Sequence, residues 1–237
     1  MTTPTVVLVH GGFGDAAAWI GVISELRSRG IPVIAPPNPL RGLASDAAYV
    51  TSVVSQIAGP VLLVGHSYGG ALITVAGAAE NVVGLVYIAA YVLHEGECLG
   101  DLERRFPDSS LTGNLKRWTY PLVDGDSAVE VTIDEAAFPA VFAADVTEEV
   151  AGVLAAAQRP VATAAFTETA SAAAWQLKPS WALVAGADRA INPEVQRFGA
   201  ERAGSVVVEL PDASHAVALS EPKQVADLIR DAVRATS

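Results

Sequence analysis

"VLLVGHSYGGAL" (residues 61–72) sets a serine between two glycines directly after four apolar, mostly branched residues. Such a run suits a strand buried on both faces, and the adjoining stretch, "YGGALITVAGAA" (68–79), reads as a helix. A buried strand that turns at once into a helix needs glycines at the turn. Gly65-His66-Ser67-Tyr68-Gly69 matches G-x-S-x-G, the pattern in which a strained turn lifts a serine hydroxyl above a sheet edge. Ser67 is therefore the candidate nucleophile. A structural turn and a phosphate loop are the rival readings. Against the latter, G-x-x-x-x-G-K-[ST] is absent and no G-x-G-x-x-G follows the first apolar run.

Outward from this stretch, strand-like runs recur at "TVVLVH" (5–10), "PVIA" (32–35), "VVGLVYIAA" (82–90), "SWALVAG" (180–186) and "SVVVEL" (205–210). Helical patterns lie between and after them, at 16–30, 45–59 with Ser45 as its cap, 192–204, and 221–235 with Pro222 in its first turn. Alternating strand and helix predicts an α/β fold, a doubly wound and mostly parallel sheet. The alternation breaks from about 92 to 175, after the strand that ends near Tyr91. Turn clusters and Ala-rich stretches there predict a mostly helical cap over the strand ends, inserted in a single domain spanning 1–237.

Composition narrows the function. A net charge of −11 without a Lys/Arg cluster argues against nucleic acid as a partner. The most membrane-like span is broken by Glu80 and Asn81, so no membrane association is expected. The N-terminal stretch lacks a basic region and reads as a first strand instead of a signal peptide, which with a single cysteine, Cys98, suggests a reduced, cytoplasmic setting. Cys98 has acidic neighbours that would raise a thiol pKa. The four histidines show no metal-ligand spacing, so no metal is expected. Oligomeric state is not legible.

A serine nucleophile needs a base, and the base needs an orienting acid. His10 precedes a glycine loop, His66 sits inside the elbow, and His94 falls in the insertion. His215 follows the last strand in "LPDASHAVALSEP", a loop returning to the strand ends, and is the candidate base. Asp188 comes two residues after the strand "SWALVAG" and is the candidate acid; Asp212 is a rival by proximity in sequence, although a turn role after Pro211 suits it better. Backbone N–H groups of Tyr68 and of Gly12, with Phe13 next, are candidates for an oxyanion hole. Phe13, His66, Trp118, Phe142 and Phe166 are candidate substrate contacts, and the last three could equally be core.

The order Ser67, Asp188, His215, with "VVLVHGGFGDAAAW", "LVGHSYGGAL", "VLHEGECL", "ADRAINPEVQRFGAER" and "DASHAVALSEPKQVADLI", resembles the α/β-hydrolase superfamily over the full length. More narrowly, it resembles small serine esterases related to plant methylesterases and hydroxynitrile lyases. The resemblance implies a cofactor-free enzyme with a helical cap, using Ser67, Asp188 and His215 on a small-molecule ester. The cyanohydrin-cleaving branch carries a lysine directly after the catalytic histidine; here that residue is Ala216, which argues for ester hydrolysis. The same triad could serve hydrolysis of a carbon–carbon bond, lactone or amide, or perhydrolysis. A receptor that binds without turnover is the reading from another class.

Overall fold

Val6 and Leu8 pack on one side of a sheet, and Val7 and Val9 on the other, all of them buried. This two-sided burial is what the unbroken apolar runs require. The computed structural model describes residues 2–237. Six strands, β1 (Thr5–Val9), β2 (Val33–Ile34), β3 (Val61–His66), β4 (Val82–Ile88), β8 (Ser180–Ala185) and β9 (Val206–Leu210), pair in parallel in the order β2-β1-β3-β4-β8-β9. One face carries α2 (Leu43–Ser55) and α3 (Tyr68–Ala76) through Val50, Val54, Leu72 and Ile73. The other carries α1 (Ile20–Arg27) and α10 (Pro222–Thr236) through Val22, Leu26, Val225 and Ile229.

The chain leaves β1 toward β2, then crosses back to place β3 on the other side of β1. Such a reversal opens a crevice at the carboxyl ends of the two central strands, where open α/β sheets bind ligands. Val9 pairs with Gly65 across that point, so the glycine loop after β1 and the serine turn after β3 are neighbours. Ala185 pairs with Leu210, so the loops after β8 and β9, which carry Asp188 and His215, leave the sheet together at the same end.

Several expectations need correction. The helix expected at 16–30 is a 3-10 turn, Ala16–Trp19, followed by α1, which stops at Arg27. Ser45 does not cap α2, which starts earlier, with Gly42 at the cap; the buried Asp46 carboxylate instead takes the N–H groups of Arg41 and Gly42. The segment between β4 and β8 is not mostly helical. It holds α4 (Leu99–Glu103), α5 (Phe138–Phe142), α6 (Glu148–Ala157) and α7 (Ala164–Thr167), but also an antiparallel sheet of β5 (Leu115–Pro121), β6 (Ser127–Ile133) and β7 (Val161–Ala162). The turn "DGDS" marks a hairpin whose arms, "LKRWTYP" and "SAVEVTI", are rich in the β-branched and aromatic residues that strands favour. The remaining elements are α8 (Pro193–Arg202) and α9 (Val217–Ser220). Among the described residues no helix is long and apolar enough to cross a membrane.

Candidate active site

Ser67 has φ 55° and ψ −124°, between the last residue of β3 and the first of α3. A non-glycine residue there is strained by roughly 1–3 kcal/mol and persists only when its surroundings enforce it. They do: Ser67 N–H donates to the Ile88 carbonyl at 3.1 Å, and the Ser67 carbonyl accepts from Gly70 N–H at 2.9 Å and Tyr91 N–H at 3.3 Å. The flanking glycines are needed for closeness. A Cβ on Gly65 would lie 2.5 Å from the Gly69 carbonyl oxygen, and one on Gly69 would lie 2.4 Å from that of Val9.

The candidate base and acid meet. His215 Nδ1 lies 2.6 Å from Asp188 Oδ2, both side chains buried, and since a carboxylate accepts, Nδ1 carries the proton and leaves Nε2 free to take another. Asp188 is held in turn: its Oδ1 accepts from Ala190 N–H at 2.7 Å and Ile191 N–H at 2.9 Å, and its Oδ2 from Gln196 Nε2 at 2.7 Å. Gln196 Oε1 accepts from Ala185 N–H, which locks the amide between strand and acid. Sequence reasoning misses Gln196, because no motif marks a glutamine eight residues after the acid. Asp212, the rival, is exposed in its turn, and the His215 ring bonds to Asp188.

The elbow and the histidine loop are tied directly. His66 Nε2 lies 2.9 Å from the His215 carbonyl oxygen, so it donates the hydrogen bond. Burial, with His215 beside it, pushes the His66 pKa down to about 3, which keeps the ring neutral. Its ring centroid is 4.7 Å from that of His215. His10 is neutral for similar reasons: Nδ1 donates to the Gly11 carbonyl, Nε2 accepts from Asn38 N–H, and burial lowers its pKa.

The glycine loop lies against the serine. A Cβ on Gly11 would come within 2.6 Å of Ser67 Cβ, so the loop backbone packs directly on the Ser67 side chain. Among the described residues, no protein acceptor takes the N–H of Gly12, Phe13 or Tyr68. Phe13 itself has φ 62°. The Tyr68 phenol donates to the buried Asp46 at 2.9 Å, and burial with that adjacent carboxylate raises its pKa, so it stays a neutral donor. This anchors the first residue of α3.

A cavity of about 110 Å³ opens beside these residues, lined by Gly12, Phe13, His66, Phe138, Phe142 and Leu219 among others. No lysine or arginine lines it. Ser67, 7% exposed, lies behind this lining next to Gly11 and His66. Of the candidate substrate contacts, Phe13, His66 and Phe142 border the cavity, whereas Trp118 and Phe166 do not. Trp118 is 53% exposed on the β5–β6 hairpin with its indole N–H on Thr132, and Phe166 packs against the core from α7. His94 is also remote, bonded to Gln176. Cys98 is buried at the start of α4, where its sulfur accepts from Asp101 N–H, and burial first, then Asp101, pushes the thiol up.

A family model described as the alpha/beta hydrolase family matches residues 6–228. The chain belongs to the α/β-hydrolase family. An alpha/beta hydrolase of Aspergillus novofumigatus (strain IBT 16806) is 28% identical over 256 aligned residues, covering 98% of this chain and 97% of the relative. Among solved structures, polyneuridine aldehyde esterase superposes with a TM-score of 0.82 at 19% identity, covering 98% of this chain and 99% of that one. A pyrethroid hydrolase from Sphingobium faniae JZ-2 gives 0.78 at 24% identity, covering 99% and 98%. A methylesterase from Arabidopsis gives 0.77 at 18%, covering 98% and 99%. At these identities the solved structures establish the fold of this α/β-hydrolase alone.

Proposed function

We propose that this α/β-hydrolase is a carboxylesterase-type serine hydrolase that cleaves a small to medium ester with an uncharged acyl group, using Ser67, His215 and Asp188. The observation that carries this reading is the buried His215–Asp188 pair, bonded at 2.6 Å and tied through His66 to the strained Ser67 turn. The apolar cavity without a cationic side chain supports the uncharged acyl group.

In the first half-reaction Ser67 Oγ attacks the ester carbonyl carbon while His215 Nε2 takes the hydroxyl proton. Asp188 stabilises the imidazolium through Nδ1–H. The tetrahedral oxyanion accepts hydrogen bonds from the N–H groups of Gly12 and Tyr68; losing one such donor typically costs about a hundred- to thousandfold in turnover. Collapse breaks the carbon–oxygen bond to the leaving group, which departs as an alcohol with the proton from His215. Water then gives a proton to His215 and attacks the acyl-enzyme, and the second collapse returns that proton to Ser67 and releases the acid.

The test is steady-state hydrolysis of p-nitrophenyl esters of increasing acyl length, beside a lactone and an anilide, by wild type and Ser67→Ala. The expected result is turnover of short apolar esters above the other classes, with a loss on the order of a millionfold in Ser67→Ala if the three residues act as a unit. Ester hydrolysis largely retained in the variant overturns the reading. A preference for anionic acyl groups overturns the substrate class.

A further inference from the structure

We infer that Asp145, in the segment between β4 and β8, is a positioning residue for His215; this rests on the reading of His215 as the base. Asp145 follows α5 and is far from His215 in the chain, yet its carboxylate holds the residue immediately before that histidine from two sides. Oδ2 accepts from Ser214 N–H at 2.7 Å, and Oδ1 accepts from Ser214 Oγ–H at 2.5 Å. Ser220 Oγ, at the end of α9, donates to Oδ2 at 2.9 Å. Ser214 Oγ in turn accepts from Ala216 N–H at 3.2 Å. The residues on either side of His215 are thus both fastened, directly or through one hydroxyl, to this carboxylate.

Three features argue that this arrangement serves the histidine. Among the described residues no cation pairs with Asp145, so its partners are a backbone N–H and two hydroxyls of one loop and its following helix. Phe142, three residues earlier, sets its ring edge-on to the His215 imidazole with centroids 4.7 Å apart, so the same short stretch grips both backbone and ring. Ser214 and His215 lie in the buried stretch 213–218, whereas Asp145 is an exposed residue, so its carboxylate reaches in from the surface to that buried stretch. Hydrogen bonds to a carboxylate are the stronger and more directional kind. Displacing a reacting group by about 1 Å can cost roughly a hundredfold in rate.

The experiment compares wild type, Asp145→Ala and Asp145→Asn. It measures kcat and KM on a p-nitrophenyl ester, the rate constant for fluorophosphonate labelling of Ser67, and thermal stability. Kinetics are taken well below each melting temperature and expressed per folded molecule. Asp145→Ala is expected to lower kcat and the labelling rate together by about ten- to a hundredfold, with KM within about twofold. Asp145→Asn keeps an acceptor oxygen for Ser214 and is expected to fall between the two. If Asp145→Ala does not fold, a loss of kcat and labelling in Asp145→Asn at unchanged KM carries the same result. Wild-type rates in the folded variants, with or without a lower melting temperature, overturn the positioning role alone. Absence of labelling in wild type defeats the triad reading itself, and this inference with it.

Discussion

His66 shows how one residue joins folding to chemistry. Its Nε2–H is committed to the His215 carbonyl, so a second proton on this buried ring would have to go to Nδ1, beside the Gly11 backbone. With the pKa pushed down to about 3 in the fold and an ordinary value near 6.5 in the unfolded chain, the unfolded state binds the extra proton between those limits. Stability contributed by this ring is present in full above about pH 6.5 and falls as pH drops toward 3. The expected slope from His66 is about 1.4 kcal/mol per pH unit inside that window, and buried, neutral His10 adds to it in the same direction. Urea unfolding of wild type and His66→Gln between pH 6 and 4 checks this, because the glutamine amide keeps an N–H donor but cannot take the proton. A shallower pH dependence in the variant is expected; parallel curves would contradict it. Ser67, Asp188 and His215 are candidates legible in the sequence because each follows a recognisable strand. Gln196 and Asp145 are not. Their partners are brought to them by the fold, and neither spacing nor composition marks them.

At the scale of elements, the sharp turn from β3 into α3 depends on backbone passing backbone. The Gly69 position faces the Val9 carbonyl of the neighbouring strand, which cannot yield as a flexible side chain would. Gly69→Ala is expected to destabilise by about 1–3 kcal/mol, seen as a lower urea midpoint at unchanged slope, and a change under about 0.5 kcal/mol would mean the turn is looser than its geometry requires. The central strands were readable because burial on both faces leaves unbroken β-branched runs. The β5–β6 hairpin was harder to read for the opposite reason. Its β5 arm is mostly exposed, and charged and polar residues are mixed through both arms, so the pattern is masked beside the Ala-rich helical stretches of the same segment. Helix ends depart from the sequence pattern where an unexpected cap decides them, as when Gly42 and Asp46 replace Ser45 at the start of α2.

For the whole molecule, a parallel sheet with a strand-order reversal next to β1 gathers the site's loops at one end. The loop after β1 brings the N–H groups of Gly12 and Phe13, the turn after β3 brings Ser67, and the loops after β8 and β9 bring Asp188 and His215, the proposed acid and base. The segment between β4 and β8 then contributes Phe138 and Phe142 to the cavity wall and Asp145 to the histidine loop. The chain order of strands and helices is enough to foresee the sheet and the end at which the candidate residues gather. Which inserted aromatics face the cavity is not foreseen, since Phe142 and Phe166 look alike in sequence and differ in how the segment folds back. This assembly is proposed to activate Ser67. The most direct measurement of that activation is intact mass after incubation with a fluorophosphonate, wild type against Ser67→Ala. A single covalent adduct is expected on wild type and none on the variant. An unlabelled wild type, or an adduct that persists in Ser67→Ala, would contradict it.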